Sequence, residues 1–461
     1  MEPRLGHVDH FLKGGIVRML HVLVFGAGRV ARPCVQYLLR DPGTQVTVVD
    51  LDQDSLQRVL DGHLRGQSIM ADAGSQAREL IARVNPDIVI NLLPPAFMYP
   101  VAKFCVEAKK HMVNPSYIKD EMRTLDGVAR KAGITLLCEL GLDPGIDHMS
   151  AAKMVRFIHE RGGQVESFRS VCGALPSAES NTNPWGYKLS WAPESLIGAN
   201  RRDARVMLED KVHEWLGGKT YEHAHLEEVS LLGWFEVYAN ADSLPYRDHY
   251  GIPEAKTIYR GTIRYVGWCE TILAMNILRL VDEDVQDFTG MTFRDFIARQ
   301  AGESDSSMAE EAVCAKLGIR PSSAVYERFT WLGLFDDRPL GFVKGTARDV
   351  ITLLFNEKLV YTKGERDLVI LKDEVVSFYP ESGKKLRHTS TLVDFGISGG
   401  DTSIARTTGL PPAIAARFIL EGKIRTPGVH IPVLPEIYEP ILEELELFGI
   451  CLKESEEIVE E

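Results

Sequence analysis

Residues 20–50 constrain the fold of this chain more than any other stretch of the sequence. The apolar run 21–25 has the length of a buried strand and ends at the glycine turn 26–28. A helical pattern follows, and a second, β-branched run, 46–49, ends on Asp50. The order strand, glycine turn, helix, strand predicts the first unit of a dinucleotide-binding fold.

Each small residue of the turn has a physical role in that prediction. Gly26 lets the chain leave the strand sharply, and Gly28 lets a pyrophosphate approach the backbone. Ala31 allows the helix to pack close to the strand. The helix that begins near Arg29 and Val30 directs free N–H groups and the positive end of its dipole toward the phosphates. Because a lone GxGxxA is a weak signal, a structural turn that binds no phosphate is the alternative.

Asp50 bears on the choice of dinucleotide. It lies 22 residues after Gly28, at the end of the second strand. A carboxylate in this place accepts hydrogen bonds from both ribose hydroxyls and repels a 2′-phosphate. Arg29 leaves the choice open, because a basic side chain in the turn can reach a 2′-phosphate. The sequence therefore predicts NAD or NADP as cofactor, with NAD favoured.

The composition excludes several classes of protein. The net charge of −13 disfavours a nucleic-acid partner, because little would offset the repulsion from phosphates. No apolar run reaches the length of a membrane span, and residues 1–15 lack the apolar core of a signal peptide. The seven cysteines are scattered and never form a CxxC pair, which predicts a reducing, cytoplasmic location and no metal site.

Strand and helix patterns alternate up to about residue 142, which predicts an α/β fold with a parallel sheet. Ligands of such sheets lie beyond the carboxyl ends of the strands. We therefore expect the segments that follow the strands to converge on one crevice: the glycine turn, 91–95 (with Asn91 and Leu92 on the cofactor), 114–117 and 139–148.

After residue 151 the pattern changes, and the remaining predictions are less regular. They are a charged helix over 201–215, mostly helices from 271 to about 356, a β-hairpin formed by 367–371 and 374–379, a helix over 411–421 that starts with two prolines, and a solvated or frayed acidic end over 454–461.

Several motifs resemble the saccharopine dehydrogenase family, specifically its glutamate-forming saccharopine reductases. The resemblance covers nearly the whole chain after Leu20, and GLDPGIDH is its most specific piece. The matching segments are VLVFGAG (22–28), SYI (116–118), GLDPGIDH (141–148), CGALP (172–176), NPWGYKLSW (183–191), RGTIRY (260–265), STLVD (390–394), ARTTG (405–409) and ILEGKI (419–424).

The resemblance implies a Rossmann-type parallel-sheet domain and a second α/β domain. The first would span 19–142, preceded by an extension over 1–18 and completed by about 410–461. The second, over 143–409, would carry the substrate site, the contacts of a homodimer and a mostly helical insertion over about 271–360. The implied reaction interconverts saccharopine with glutamate and 2-aminoadipate 6-semialdehyde, mostly with NADP(H), an expectation from which Asp50 departs.

Such a reaction needs a general acid/base that serves both an amine and a carbinolamine. Asp143 is the first candidate, because it follows a strand and belongs to the signature run. Asp147 is next, although it could instead cap the following helix. His148 is either a proton relay or a surface histidine of the first helical turn.

Tyr117 and Cys172 complete the predicted catalytic set. The Tyr117 hydroxyl would donate to the substrate or to a developing alkoxide, and the alternative is a packed tyrosine with a satisfied hydroxyl. The resemblance places Cys172 near the site. A lone thiol in a strand is more often a small buried hydrophobic residue.

Saccharopine carries three carboxylates, and arginine binds such groups bidentately. Arg260 and Arg264 share one face of a strand-like run, so together with Lys188 they form a predicted carboxylate clamp. Asn183 and Ser190 would add neutral hydrogen bonds. The alternative for the two arginines is an exposed strand face with surface ion pairs.

Other functions fit the same fold. Lysine dehydrogenase and carboxynorspermidine dehydrogenase are alternatives, and they would need fewer carboxylate partners and an acidic or apolar pocket for an amine chain. A dinucleotide-sensing protein without catalysis is a further alternative, which Asp143, Tyr117 and the clamp residues disfavour.

Overall fold

The computed structural model describes residues 18–191 and 193–459, so the expected N-terminal extension, apart from Arg18, lies outside the described residues. The strands are β1 (Leu20–Phe25), β2 (Thr44–Asp50), β3 (Gly66–Met70), β4 (Ile88–Asn91), β5 (His111–Val113), β6 (Thr135–Leu137), β7 (Gln164–Pro176), β8 (Ala204–Leu208), β9 (Lys211–Trp215), β10 (His225–Val229), β11 (Gly233–Ala239), β12 (Thr257–Arg264), β13 (Gln286–Asp287), β14 (Lys344–Gly345), β15 (Asp367–Tyr379), β16 (Lys384–Phe395), β17 (Gly428–His430) and β18 (Leu452–Ile458).

The α-helices are α1 (Ala31–Arg40), α2 (Gln53–Leu60), α3 (Ala73–Val84), α4 (Met98–Ala108), α5 (Asp120–Arg123), α6 (Asp126–Ala132), α7 (Ile146–Glu160), α8 (Pro193–Ala199), α9 (Tyr246–His249), α10 (Trp268–Ile277), α11 (Phe293–Ala301), α12 (Ala309–Leu317), α13 (Ala324–Leu332), α14 (Ala347–Lys358), α15 (Ser403–Leu420) and α16 (Pro435–Glu446). Within the described residues, no helix is long and apolar enough to cross a bilayer.

The first sheet has seven parallel strands in the order β17-β6-β5-β4-β1-β2-β3. Alternate residues of β1 enter two different cores. Val22 and Val24 pack toward α1 and α15, whereas Leu23 and Phe25 pack toward α3 and α4. Burial on both faces explains why this strand is an unbroken apolar run. The predicted α/β class and the Rossmann-type sheet are confirmed.

The second sheet is mixed, with the strand path β10-β11-β12-β7-β15-β16-β18 and the hairpin β8–β9 attached to β12. Its central strands β7 and β12 run parallel, and the other pairs are antiparallel. Helix α7 packs on one face of this sheet, where its residues share a hydrophobic core with Phe168 of β7 and Val375 of β15. Leu368 and Ile370 on the opposite face contact the helices α10–α14, which form the insertion.

Residues 201–215 are not the predicted helix. They form the antiparallel hairpin β8–β9, in which Ala204 faces Trp215. The turn residues Glu209 and Asp210 have φ angles of 49° and 64°. Two consecutive positive φ values are typical of the tight turn that joins two strands, and this turn chemistry outweighed the charged, helix-like pattern.

Residues 367–379 are one continuous strand rather than a hairpin around a charged turn. β15 pairs with β7 on one side and with β16 on the other, and the true hairpin turn lies at 380–383. Asp373 lies in the middle of this strand and is fully buried. Its charge suggested a turn, but the tertiary structure encloses it.

The two prolines of the last long helix lie inside that helix, not at its start. α15 begins at Ser403, after Thr402 accepts a hydrogen bond from Ala405 N. Pro411 and Pro412 are both buried. The packing of α15 on α1 compensates for the hydrogen bonds that the prolines remove.

The C-terminal strand corrects two further expectations. Residues 452–458 form β18 at the edge of the second sheet, so they are not frayed and do not belong to the first domain. Their carboxylates lie against basic side chains, for example Glu454 on Lys153 and Glu456 on Arg161. Among the described residues after 410, β17 is the one strand that joins the first sheet.

Candidate active site

The GLDPG segment forms a tight turn between β6 and α7 that presents Asp143. Gly145 has a φ of 149°, and a Cβ atom on it would lie 2.0 Å from the Gly141 oxygen. Only glycine fits at this point, because the turn closes on its own backbone. The Asp143–Pro144 peptide bond is cis. The turn therefore holds the Asp143 side chain at the carboxyl edge of the first sheet.

Asp143 lies in a cluster of buried charges. Its Oδ1 accepts hydrogen bonds from the Tyr117 hydroxyl at 2.7 Å and from Arg260 Nη2 at 2.5 Å. Arg260 also donates to Asp147 and to the Tyr246 hydroxyl. Arg260 is thus paired with two carboxylates of the protein, and its role in a substrate clamp stays a prediction. Its partners come from distant parts of the chain, which no local pattern reveals.

Asp147 makes two contacts at the start of α7, and its role as an acid/base stays a prediction. Its Oδ1 accepts a hydrogen bond from Gly145 N at 2.5 Å, so it satisfies the backbone at the start of α7. Its other oxygen pairs with Arg260. Burial raises the pKa of Asp147, and the charges of His148 and Arg260 oppose that rise.

Burial also keeps two nearby groups protonated. It raises the pKa of the Cys172 thiol well above its usual value, and the carboxylates of Asp143 and Asp147 add to the effect. It likewise raises the pKa of the Tyr117 phenol, again with a contribution from Asp143. The Tyr117 ring is 45% exposed, but its hydroxyl points into the crevice. The raised pKa values keep both groups in the protonated form at neutral pH.

Arg264 lies in quite different surroundings. Its Nη1 donates to the Ile263 oxygen at 2.8 Å, and its Cζ lies 5.1 Å and 5.5 Å from the ring centres of Tyr187 and Trp268. Within the described residues it forms no ion pair, although it is only 5% exposed. A buried cation without a counter-ion is suited to an anionic ligand.

The other predicted clamp residues are held by protein groups. Lys188 Nζ donates to Glu365 at 2.5 Å and to Thr182 at 2.9 Å. Asn183 uses its amide on the backbone of Trp185 and Tyr187. Ser190 is buried in the same segment. The roles of these residues toward a substrate stay predictions.

The glycine turn has the shape that a dinucleotide requires. Gly26 has a φ of 98°, and a Cβ there would lie 3.2 Å from the Leu92 carbonyl group. A Cβ on Gly28 would meet no atom within 4 Å, so the space above it is open to a phosphate. Asp50 accepts hydrogen bonds from Ala27 N at 2.6 Å and from Asp52 N at 3.0 Å. These residues fit a bound dinucleotide.

The remaining predicted cofactor residues surround the turn. Val30 directly precedes α1, and the Leu92 backbone packs against Gly26. Asn91 is buried and bonds to Leu93 N and the Phe97 oxygen, so it shapes the loop after β4. Arg29 Nη1 donates to the Leu189 oxygen at 3.0 Å. Arg29 thus bridges to the second domain.

The glycine turn and the charged cluster lie at the same edge of the first sheet, because the glycine turn follows β1 and the turn that carries Asp143 follows β6. Ala27 and Ala31 share a hydrophobic core with Leu142 and Cys172. The contact from Arg29 to Leu189 joins the same two regions near Arg264. The strand ends therefore converge as the parallel sheet required.

Four residues of this region were not predicted as site residues from the sequence. Tyr246 bonds to Arg260, Tyr250 bonds to His148, Glu139 pairs with His148, and Asp373 lies beneath α7. Glu139 was inside a segment expected to line the crevice, but nothing local distinguished it. Each is recognisable only from partners that are distant in sequence.

Two family models match this chain. The saccharopine dehydrogenase NADP binding domain matches residues 22–137, and the saccharopine dehydrogenase C-terminal domain matches residues 141–450. Together they cover the glycine turn, the GLDPG turn and both arginines of β12.

Curated proteins and a solved structure agree with these matches. The chain is 34% identical to a saccharopine dehydrogenase [NADP(+), L-glutamate-forming] of Pyricularia oryzae, with 94% of this chain and 98% of the relative covered. It is 35% identical to the alpha-aminoadipic semialdehyde synthase of Arabidopsis thaliana over 95% of this chain, and it spans only 45% of that longer protein.

The solved structure is the apo histidine-tagged saccharopine dehydrogenase (L-Glu forming) from Saccharomyces cerevisiae. The TM-score is 0.85 at 33% identity, with 95% of this chain and all 100% of the yeast chain covered. The chain belongs to the saccharopine dehydrogenase family.

Proposed function

We propose that this protein is an NAD(P)-dependent oxidoreductase acting on the CH–NH group of saccharopine. It interconverts saccharopine and water with glutamate and 2-aminoadipate 6-semialdehyde. The observation that carries this proposal is the cluster of Tyr117, Asp143 and Arg260, which lies at the same edge of the first sheet as the glycine turn. The names of the family relatives point to the same reaction.

The residues of the cluster can manage the protons of this reaction. The secondary amine must lose a proton before its carbon can be oxidised, and Asp143 is placed to accept it. The dinucleotide, when bound, accepts the hydride. Water then adds to the carbon–nitrogen double bond and releases one proton to the solvent. The carboxyl of Asp143 returns its proton to the nitrogen, and its carboxylate then takes the hydroxyl proton as the carbon–nitrogen bond breaks and passes that proton to the departing amine. The Tyr117 hydroxyl donates to the oxygen that develops on the carbon.

Charge explains why an amine binds here. Arg260 is the one cation in contact with the carboxylates of both Asp143 and Asp147. The excess negative charge favours a substrate ammonium beside Asp143. Arg264, without a carboxylate partner among the described residues, is suited to one substrate carboxylate, and Ser190 lies in the adjoining segment.

For the cofactor, we propose NAD(H) as the preferred dinucleotide. Asp50 ends β2, the position that faces the adenosine ribose in this fold. Asp52 and Asp54 follow at the exposed start of α2, so three carboxylates lie near the expected 2′-phosphate. The curated relatives named above as NADP(+) enzymes differ from this proposal, which makes the preference directly testable.

The decisive assay follows reduced-cofactor absorbance with saccharopine and either NAD⁺ or NADP⁺. We expect turnover with saccharopine and a higher kcat/KM with NAD⁺. Turnover on lysine or carboxynorspermidine, without turnover on saccharopine, would show that an alternative dehydrogenase function is correct. Tight dinucleotide binding without turnover on any of these amines would favour the sensing function.

Asp50→Ala tests the cofactor preference in the same assay. The substitution removes the repulsion of a 2′-phosphate and the hydrogen bonds to the ribose, so the NADP⁺/NAD⁺ ratio of kcat/KM should rise at least about 10-fold. Asp72→Asn, at the exposed cap of α3, is the matched control and should leave the ratio unchanged. An unchanged ratio in Asp50→Ala would remove Asp50 from the ribose site.

We also propose a cytoplasmic homodimer. All seven cysteines are free, which suits a reducing compartment. Strands β9 to β11 and their turns expose several large apolar side chains: Val212, Leu216, Leu226, Leu231 and Trp234. A patch of this kind is typical of a protein interface. Light scattering should give the mass of a dimer for the wild type and of a monomer for Trp234→Arg.

A further inference from the structure

A buried ion pair lies behind the charged cluster and takes no part in the chemistry proposed above. Glu139 is 2% exposed and His148 is fully buried, and Oε2 of the first lies 2.5 Å from Nε2 of the second. The other oxygen of Glu139 accepts a hydrogen bond from Ile118 N at 2.7 Å. Glu139 therefore holds the residue next to Tyr117.

The backbone at Glu139 supports a dedicated role. Its φ is 59°, in the left-handed region that non-glycine residues seldom adopt. Glu139 N also donates to the Ser116 oxygen at 3.2 Å, on the other side of Tyr117. The loop that carries Tyr117 is thus fixed to Glu139 at two points. Such a conformation persists where surrounding contacts hold it in place.

These contacts form a closed circuit between the two domains. From Tyr117, the circuit runs through Asp143 and Arg260 to Asp147. Asp147 precedes His148 on α7, and His148 leads through Glu139 back to the loop of Tyr117. Tyr117 is therefore held at its hydroxyl by one half of the circuit and at its backbone by the other.

We propose that Glu139 and His148 are positioning residues for the amine oxidation, which keep the Tyr117 hydroxyl on Asp143 through their buried side-chain contact and the hold of Glu139 on the loop of Tyr117. The proposal rests on the function proposed above. It assigns the pair no contact with the substrate, so its effect is on the geometry of the reacting groups.

The surroundings of the His148 ring favour the charged form. Burial lowers the pKa of His148, but the carboxylates of Asp147 and Glu139 outweigh burial and raise it overall, with Arg260 in opposition. Burial likewise raises the pKa of Glu139, yet His148 and the Ile118 N–H bring it below its usual value. The remaining groups that face the ring come from α9 and the residue after it: Tyr246 at 5.6 Å, His249 at 6.3 Å, and the Tyr250 hydroxyl at 3.0 Å from Nδ1.

Glu139→Gln is the primary test, because glutamine keeps the shape and the acceptor for Ile118 N–H but removes the charge. We expect kcat on saccharopine to fall about 10- to 100-fold, the effect of a small displacement of a reacting group. The Kd of the dinucleotide should stay within about twofold, since the glycine turn is untouched. A parallel fall in dinucleotide affinity would indicate a general structural defect and would overturn the positioning role.

An NMR titration measures the charge of His148 and does not depend on catalytic activity. In protein labelled with ¹³C at histidine Cε1, one signal should stay imidazolium-like well above pH 6.5 and be absent from His148→Asn. In Glu139→Gln the same signal should be neutral at pH 7. A neutral His148 signal in the wild type at pH 7 would overturn the proposal.

Two further variants complete the design. The double variant Glu139→Gln/His148→Asn should lose no more activity than the worse single variant, because the two residues act as one unit. Losses that multiply would contradict the pair. His388→Asn is the matched control, since His388 is also buried beside a glutamate, Glu456, at the far edge of the second sheet, and it should retain wild-type kcat. If the wild type fails to turn over saccharopine, the proposed function is wrong, whereas the NMR titration still decides the charge pair.

Discussion

Arg260 and Arg264 lie four residues apart on β12, and both are nearly buried, but their surroundings are opposite. Arg260 is surrounded by protein carboxylates. Arg264 is surrounded by the rings of Tyr187 and Trp268 and has no ion-pair partner in the part of the chain that the structure describes. A buried charge therefore serves structure where the protein supplies a counter-ion. Where the protein supplies no counter-ion, the charge is available to a ligand.

The largest effect is expected from Arg260→Met. It leaves Asp147 as a buried carboxylate without its cation, and breaking such a pair costs about 3–5 kcal/mol of unfolding free energy. Urea unfolding of this variant and of Arg264→Met, side by side, measures the contrast. Equal losses of unfolding free energy in the two variants would show that Arg260 is not the more important of the two arginines for stability.

Asp373 is a buried anion without a counter-ion in the described part of the chain, so it can be compared with Arg264. The second-largest effect is the dependence of protein stability on pH that Asp373 causes. Neither of its oxygens has a well-aligned hydrogen bond among the described residues, and burial raises its pKa to about 7, with Ser150 and Ser170 in weak opposition. The folded state therefore binds a proton that the unfolded state releases between about pH 4 and pH 7, and stability falls as the pH rises through this window.

Asp373→Asn should remove this loss. Relative to the wild type, the variant should gain up to about 4 kcal/mol of unfolding free energy between pH 4 and pH 8, the value that corresponds to the pKa change. Urea unfolding at both pH values measures the gain, and the exposed Asp284→Asn is its control. A gain of the same size in Asp284→Asn would show that the effect is not specific to burial.

Arg264→Met should act on the substrate rather than on stability. Loss of a charge-assisted contact to a substrate carboxylate should raise the KM for saccharopine about 10- to 100-fold, which corresponds to about 1.4–2.7 kcal/mol. The Kd of the dinucleotide should not change, and isothermal titration checks this. An unaltered KM would show that the pocket around Arg264 is not the carboxylate site.

Lys188 should give the smallest effect, because Glu365 already neutralises its charge. Removal of both charges in Lys188→Met/Glu365→Gln should change the KM for saccharopine less than about threefold. A KM increase as large as that of Arg264→Met would show that Lys188 belongs to the substrate clamp that the sequence predicted.

The sequence was most informative where structure depends on neighbouring residues. The glycine turn, its helix and the strand that ends on Asp50 follow one another along the chain, so their backbone requirements are visible in the order of residues. The position of Asp143 after a strand was predictable for the same reason. The site roles of these residues stay predictions until the assays above are done.

The sequence was misleading where charge or proline was taken as a sign of exposure. Asp373 suggested a turn but lies in a central strand, and Pro411 suggested a helix start but lies within α15. In each case tertiary packing supplied a burial that local propensity does not report.

By itself, the sequence determined the α/β class and predicted the dinucleotide-binding turn and some of the titratable residues that lie together, such as Tyr117 and Asp143. Only the tertiary structure decided which cation meets which carboxylate, as when Arg260 reaches Asp147 across 113 residues of chain. The physical reason is that backbone geometry is set by local sequence, whereas the pairing of buried charges depends on how distant elements pack together.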